Sequence, residues 1–287
     1  MTKLRNTSQL NKLLCTAFSA LAVLALLTPI ALAQAPAVPE DPKAQPIQAT
    51  TQHPALFLVG DSIIRTGTGD GEHGPWGWGY EIIPMFDATK IHVYNDALGG
   101  RSSRGYIEEG AWAKVLAQLQ PGDWVIMHFG HNDAANSANY PDRTTLPGNG
   151  DDTKEIESPV THQTETIHTY GWYLRQYVKD VKSKGATMII CSPPPRNTWV
   201  DGKIKRGFDG YAAWAKEAAD QTHTLFIDLN TISANKYDAL GQEATKPLFN
   251  DNQHSRKAGA QLNAASVVTG IKSLNIPLAK DLAPTAK

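Results

Sequence analysis

From residue 55 onward the chain alternates short unbroken apolar runs with longer stretches whose apolar residues recur every three or four positions. The runs are Ala55–Val59, Ile91–Tyr94, Trp124–Phe129, Thr187–Cys191 and Leu225–Ile227. A short continuous apolar run closed by a turn residue, as Val59 is by Gly60, predicts a strand buried on both faces. Between the runs, Ile167, Tyr170, Leu174, Tyr177, Val178 and Val181 fall on one face of a helix, which Gly185 ends. A last helix carries Ala264, Val267, Ile271 and Leu274 on one face. Strands alternating with helices predict an α/β chain: a single-domain α/β/α sandwich over residues 55–275 with a mostly parallel five-stranded sheet. Residues 276–287 read as a C-terminal tail. The polar stretch 134–161, with Pro141, Pro147, Gly148 and Gly150, reads as a long functional or mobile loop.

The first 54 residues follow neither pattern. Lys3, Arg5 and Lys12 precede an apolar stretch from Leu13 to about Ala33 that ends Ala31-Leu32-Ala33. That is the layout of a cleaved Sec-type signal peptide, with cleavage after Ala33. Thr16, Ser19 and Thr28-Pro29 weaken the alternative of a membrane anchor. Residues 34–54, rich in Pro, Ala and Gln, read as a flexible leader. A periplasmic or secreted protein is expected, with no membrane association after cleavage. The whole chain has 27 basic and 28 acidic residues, and loss of residues 1–33 would leave 24 against 28. A weakly acidic mature protein has no electrostatic footprint for nucleic acid. Only Cys191 would remain, so an intrachain disulfide is excluded. Its place in an apolar run makes it a buried small hydrophobe.

In an open parallel sheet, ligands bind beyond the carboxyl ends of the strands. Gly60-Asp61-Ser62 follows the first run, Asn95 to Ser102 the second, and Gly130-His131-Asn132-Asp133 the third. Asp251-Asn252-Gln253-His254 precedes the last helix. These are the residue types of acyl transfer. A serine hydroxyl needs a base, and histidine titrates in the useful range. Asp251, three residues before His254, can accept from the imidazole Nδ1 and leave Nε2 facing Ser62. The backbone amides of Ser62 and Gly100 and the side-chain amide of Asn132 can donate to an oxyanion.

These four segments resemble the sequence blocks of the GDSL/SGNH hydrolases, which have a flavodoxin-like fold. Asn95-Asp96-Ala97-Leu98-Gly99-Gly100-Arg101-Ser102-Ser103-Arg104 is more closely similar to the rhamnogalacturonan acetylesterases of carbohydrate esterase family 12. Gly77-Trp78-Gly79, His168 to Arg175, and Cys191-Ser192-Pro193-Pro194-Pro195-Arg196-Asn197 share that likeness, which spans about residues 55–275. The resemblance implies Ser62 as nucleophile, His254 and Asp251 completing a triad, and Ser62, Gly100 and Asn132 as oxyanion donors. It implies no cofactor, and as partner an acetylated plant cell-wall polysaccharide or oligosaccharide, foremost rhamnogalacturonan. A monomer is expected. Ile63 stands where the family usually has Thr, and Asn252-Gln253 replaces a Thr-containing spacer. Acetylxylan, a lipid ester or a thioester are the alternative substrates, and acetyl transfer or simple carbohydrate binding the alternative roles.

Other signals compete less well. Gly69 to Gly74 matches G-x-G-x-x-G, but the strand already ended at Gly60, so a flexible rim is expected there rather than a dinucleotide site. His128 and His131, three apart along a strand, should point to opposite faces, so no metal site is expected. His128 then reads as a core histidine, and His131 as a support for the Asn132 loop or a substrate contact. Asp151, Asp152, Glu155 and Glu157 lack calcium-loop spacing. Arg101 and Arg104 can pair with a uronate carboxylate or brace their turn, and Trp76 and Trp78 can stack on sugar rings or pack in the core.

Overall fold

The computed structural model describes residues 51–66, 75–134, 142–158 and 162–286. The proposed signal peptide, its cleavage site, most of the leader and the 69–74 glycine motif lie outside them. The strands are β1 (Ala55–Gly60), β2 (His92–Asn95), β3 (Trp124–His128), β4 (Thr153–Glu157), β5 (Thr164–His168), β6 (Thr187–Cys191), β7 (Trp199–Val200), β8 (Lys203–Ile204) and β9 (Leu225–Ile227). The helices are α1 (Trp78–Ile82), α2 (Ser103–Glu108), α3 (Ala111–Leu116), α4 (Tyr170–Ser183), α5 (Tyr211–Gln221), α6 (Leu229–Leu240), α7 (Gln242–Thr245) and α8 (Lys257–Ser273). Five strands form one sheet in the order β2-β1-β3-β6-β9, with every neighbouring pair parallel.

The sheet is buried on both faces because its residues alternate between two apolar layers. Phe57, Val59, Val125, Met127, Met188 and Ile190 join one layer with Tyr106, Trp112, Tyr177 and Ala215 from α2, α3, α4 and α5. Leu56, Leu58, Ile126, Ile189 and Cys191 join the other with Trp78 and Ile82 from α1 and Ala264, Val267 and Ile271 from α8. Side chains of opposite orientation thus meet helices on opposite sides, which is why the strands read as unbroken apolar runs. Cys191 is fully buried, and burial pushes its thiol upward, away from the reactive thiolate.

The chain leaves β1 for β2 on one side and reaches β3 on the other, so the topological switch falls between β1 and β3. That switch opens a crevice at the carboxyl ends of these two strands. They end side by side, with Gly60 in register with His128. A Cβ at Gly60 would lie 2.2 Å from the His128 carbonyl oxygen, so glycine is required for the approach.

Three segments differ from the sequence expectation. Ile167 belongs to β5 rather than to the helix, because Thr169 caps α4 by accepting from the Trp172 amide at 3.1 Å. Within the expected 134–161 loop, the described residues include β4, which pairs antiparallel with β5 from Thr153↔His168 to Glu157↔Thr164. The tail is not separate: Leu278 and Leu282 are fully buried in the α1/α8 layer, and Leu282 bridges Phe86. Burial of a leucine contributes about 1.5–3 kcal/mol, enough to hold this segment on the core.

Candidate active site

The turn that carries Ser62 begins where β1 stops. Asp61 is fully buried, and its Oδ1 accepts from the Ile63 amide at 2.9 Å while its carbonyl accepts from Ile64 and Arg65 at 3.1 and 3.0 Å. One carboxyl and one carbonyl thereby fix a single helical turn with Ser62 at its start. Across the crevice, the histidine loop is pinned on two sides. Asn250 donates to the His254 carbonyl at 2.7 Å, and the Asn197 amide donates to the Asn252 carbonyl at 2.8 Å. Ser255 Oγ donates to the Trp76 carbonyl at 2.9 Å.

These two supports bring Ser62 and His254, 192 positions apart in sequence, to an Oγ–Nε2 distance of 2.9 Å. The His254 Nδ1 lies 2.8 Å from Asp251 Oδ2. An ionised carboxylate only accepts, so Nδ1 carries the proton and Nε2 presents a lone pair to the serine hydroxyl. Asp251 Oδ1 accepts from the backbone amides of both Gln253 and His254 at 2.7 Å. Its partial burial alone would raise the carboxyl, but these amides and the imidazole hold it below the ordinary aspartate value.

Gly100 and Asn132 approach the same corner from the loops after β2 and β3. Gly100 has φ +78°, a left-handed conformation that suits glycine. In the structure, the space a Cβ would take lies 3.2 Å from Arg143 Nη2. Asn132 is 8% exposed; its Nδ2 donates to the Arg101 carbonyl at 3.1 Å and its Oδ1 accepts from Arg143 Nη1 at 3.4 Å. Asp133 joins the two loops. Its carboxylate accepts from the Gly130 amide at 3.0 Å, from the Ser103 amide at 3.1 Å, and from the Ser103 hydroxyl. Burial raises the Asp133 carboxyl to about 6, opposed by those hydrogen bonds. The bonds from Ser103 and Gly130 mark Asp133 as the residue that ties the Gly100 loop to the Asn132 loop.

The expected substrate contacts need correction. Trp78 is fully buried in the α1/α8 layer and cannot stack on a sugar. Trp76 is 5% exposed, with its Nε1 on Glu81 at 2.6 Å. The Arg104 side chain is 1% exposed, pairs with Glu108 at 2.8 Å and Glu165 at 3.4 Å, and donates to the Thr144 carbonyl at 2.8 Å. It anchors the β4–β5 ribbon to α2. Arg101 turns to Glu109 and the Gly99 carbonyl, both at 2.9 Å. Each arginine braces its own turn.

His131 is buried against Phe208, with ring centroids 4.4 Å apart, and serves as a support beneath the Asn132 loop rather than as a substrate contact. His128 and His131 do not point apart. The strand ends at His128 and Gly130, at φ +133°, turns the chain, so the rings lie 5.4 Å apart. Ligand atoms of Asp61, His128 and His131 all lie within 4.8 Å of one another. Burial drives the group toward neutrality: it raises Asp61 to about 7 and lowers His128 to about 3, with His131 also depressed.

Sequence reasoning passed over Arg143, and it assigned no role to Arg196 or Asp133. Arg196 lies 4.4 Å over the Phe208 ring and donates to Gln253 Oε1 at 3.2 Å, beside the histidine loop. Asp133 carried a readable signal, since it directly follows Asn132.

Comparison with known proteins agrees with this geometry. Residues 58–262 match the model of the GDSL-like lipase/acylhydrolase family. The chain is 30% identical over 224 residues to a rhamnogalacturonan acetylesterase of Emericella nidulans, covering 78% of this chain and 86% of that one. It is 31% identical over 233 residues to a probable rhamnogalacturonan acetylesterase of Bacillus subtilis, covering 79% and 96%. Among solved structures, the YxiM protein of Bacillus subtilis superposes with a TM-score of 0.63 at 25% identity, covering 78% of this chain and 57% of that one. With the family match spanning most of the chain and the fold shared, this protein belongs to the GDSL-like lipase/acylhydrolase family.

Proposed function

We propose that this protein is a serine acetylesterase that removes O-acetyl groups from plant cell-wall polysaccharide, with rhamnogalacturonan as its substrate. The observation that carries the reading is the continuous chain Ser62 Oγ–His254 Nε2–Asp251 Oδ2, at 2.9 and 2.8 Å. His254 takes the serine proton as Oγ attacks the acetyl carbonyl, and Asp251 stabilises the imidazolium. The negative oxygen of the tetrahedral intermediate is met by the amides of Ser62 and Gly100 and by Asn132 Nδ2. Collapse breaks the ester bond, His254 returns the proton to the sugar oxygen, and the acetyl group stays on Ser62. Water, deprotonated by His254, then releases acetate.

The choice of rhamnogalacturonan is supported by relatives named for it, the Emericella nidulans and Bacillus subtilis proteins among them, and by the sequence around Gly100. The amino-terminal export pattern supports action in the periplasm or outside the cell. The test is acetate release from acetylated rhamnogalacturonan, acetylated homogalacturonan and acetylxylan in parallel, with Ser62→Ala as the blank. Preferential release from rhamnogalacturonan is expected. Xylan-preferring release would keep the esterase and overturn the substrate, and turnover retained by Ser62→Ala would overturn the mechanism.

A further inference from the structure

A pectic substrate carries a carboxylate on its galacturonate residues, whereas the xylose units of acetylxylan carry none. The two arginines that sequence suggested for such a carboxylate face elsewhere: Arg104 is 1% exposed among Glu108 and Glu165, and Arg101 is held by Glu109 and the Gly99 carbonyl. Arg143 lies against the loops that carry the two oxyanion donors. Its Nε side meets Asp142 at 3.6 Å, while Nη1 reaches Asn132 Oδ1 at 3.4 Å and Nη2 lies 3.2 Å from the space above Gly100. The side chain is 32% exposed, and its guanidinium borders the two oxyanion donors.

We infer that Arg143 is the residue that reads substrate charge: its guanidinium binds the carboxylate of the uronic-acid sugar presented to Ser62. This rests on the acetylesterase reading above and adds to it a preference for esters on anionic sugars. A guanidinium fork matches a carboxylate bidentately, and this one lies against both Asn132 and Gly100. The same contact with Asn132 Oδ1 holds the amide with its NH₂ group toward the oxyanion. Arg143 is therefore a specificity residue that also positions an oxyanion donor. Arg196, on the far side beside Gln253 and Phe208, is the competing cation.

The experiment compares acetylated galacturonate oligosaccharides with free carboxyls, the same oligosaccharides with carboxyls methyl-esterified, and p-nitrophenyl acetate. The proteins are wild type, Arg143→Gln, Arg143→Lys and Arg196→Gln. Wild type should favour the free acid over the methyl ester by at least tenfold in kcat/KM, mainly through KM, and the preference should shrink with added salt. Arg143→Gln should lower kcat on every substrate, because Asn132 loses its partner, and should reduce the free-acid preference to within about twofold. Arg143→Lys should restore part of that preference, while Arg196→Gln should retain it. An equal loss on free-acid and methyl-ester substrates in Arg143→Gln would overturn the proposal, leaving Arg143 a positioning residue only. Collapse of the preference in Arg196→Gln instead would overturn it as well. Wild-type cleavage of p-nitrophenyl acetate with none of either oligosaccharide would refute the pectic substrate itself, a result distinct from failure at Arg143.

Discussion

Replacing Asn132 with alanine separates ground-state structure from transition-state stabilisation. The side chain makes one good neutral hydrogen bond in the resting protein, to the Arg101 carbonyl at 3.1 Å, and a long one from Arg143 at 3.4 Å. Net hydrogen-bond values put the stability loss at about 1 kcal/mol, or roughly 2–4 °C in Tm for a domain of this size. With one amide hydrogen committed to Arg101, the other is available for a substrate oxygen. Loss of a donor aimed at a developing oxyanion costs about 3 kcal/mol, which is roughly 150-fold in kcat. Acylation and deacylation both pass through an oxyanion, so kcat should fall whichever step limits turnover. The assay is saturation kinetics on p-nitrophenyl acetate alongside thermal unfolding. A KM within about threefold of wild type, with the large loss in kcat, is expected. A raised KM with kcat retained would refute the reasoning and move Asn132 to substrate binding.

Other expectations concern the scaffold. Asp61 is raised to about 7 by burial, far above an unfolded aspartate near 3.9, so the folded state binds its proton more tightly. Stability is then lost as pH rises from about 4 to about 7. Asp61→Asn, which keeps the acceptor for Ile63 and cannot ionise, should lose less Tm than wild type between pH 5 and pH 8; an equal slope would contradict the assigned cause. Arg104→Ala removes the partner of Glu108 and Glu165 and three buried hydrogen-bond donors, and should destabilise by about 2–3 kcal/mol, lowering Tm by roughly five to ten degrees, while kcat on p-nitrophenyl acetate stays within about threefold. An unchanged Tm would show that the β4–β5 ribbon is anchored elsewhere.

The central strands were legible because a strand buried on both faces must be apolar, and Ala55–Val59 and Met188–Cys191 are. The convergence of Ser62, Gly100, Asn132 and His254 was legible for a topological reason: a parallel sheet brings the segments after its strands to one edge. The β4–β5 ribbon was not. Its strands carry mostly exposed Thr, Lys and Glu, and its buried Ile167 falls in step with the helix that follows. The orientation of the two histidines was misjudged because period-two reasoning was extended past His128, where the strand ends. For the arginines, sequence shows the charge but not the side it faces. The pair of Arg104 with Glu108 is local, four residues on, whereas Glu165 is 61 positions away and only the fold reveals it. Leu278 and Leu282 looked like a tail because an isolated leucine has no period to report.

The central claim is that Ser62 carries the acetyl group between the two half-reactions. The most direct measurement is mass spectrometry of the intact protein, quenched in acid within milliseconds of mixing with excess p-nitrophenyl acetate, followed by peptide mapping. A single added acetyl group, about 42 Da, on the peptide containing Ser62 is predicted, absent from Ser62→Ala. Acetate release at the wild-type rate by a protein whose Ser62 peptide never gains mass would contradict the account.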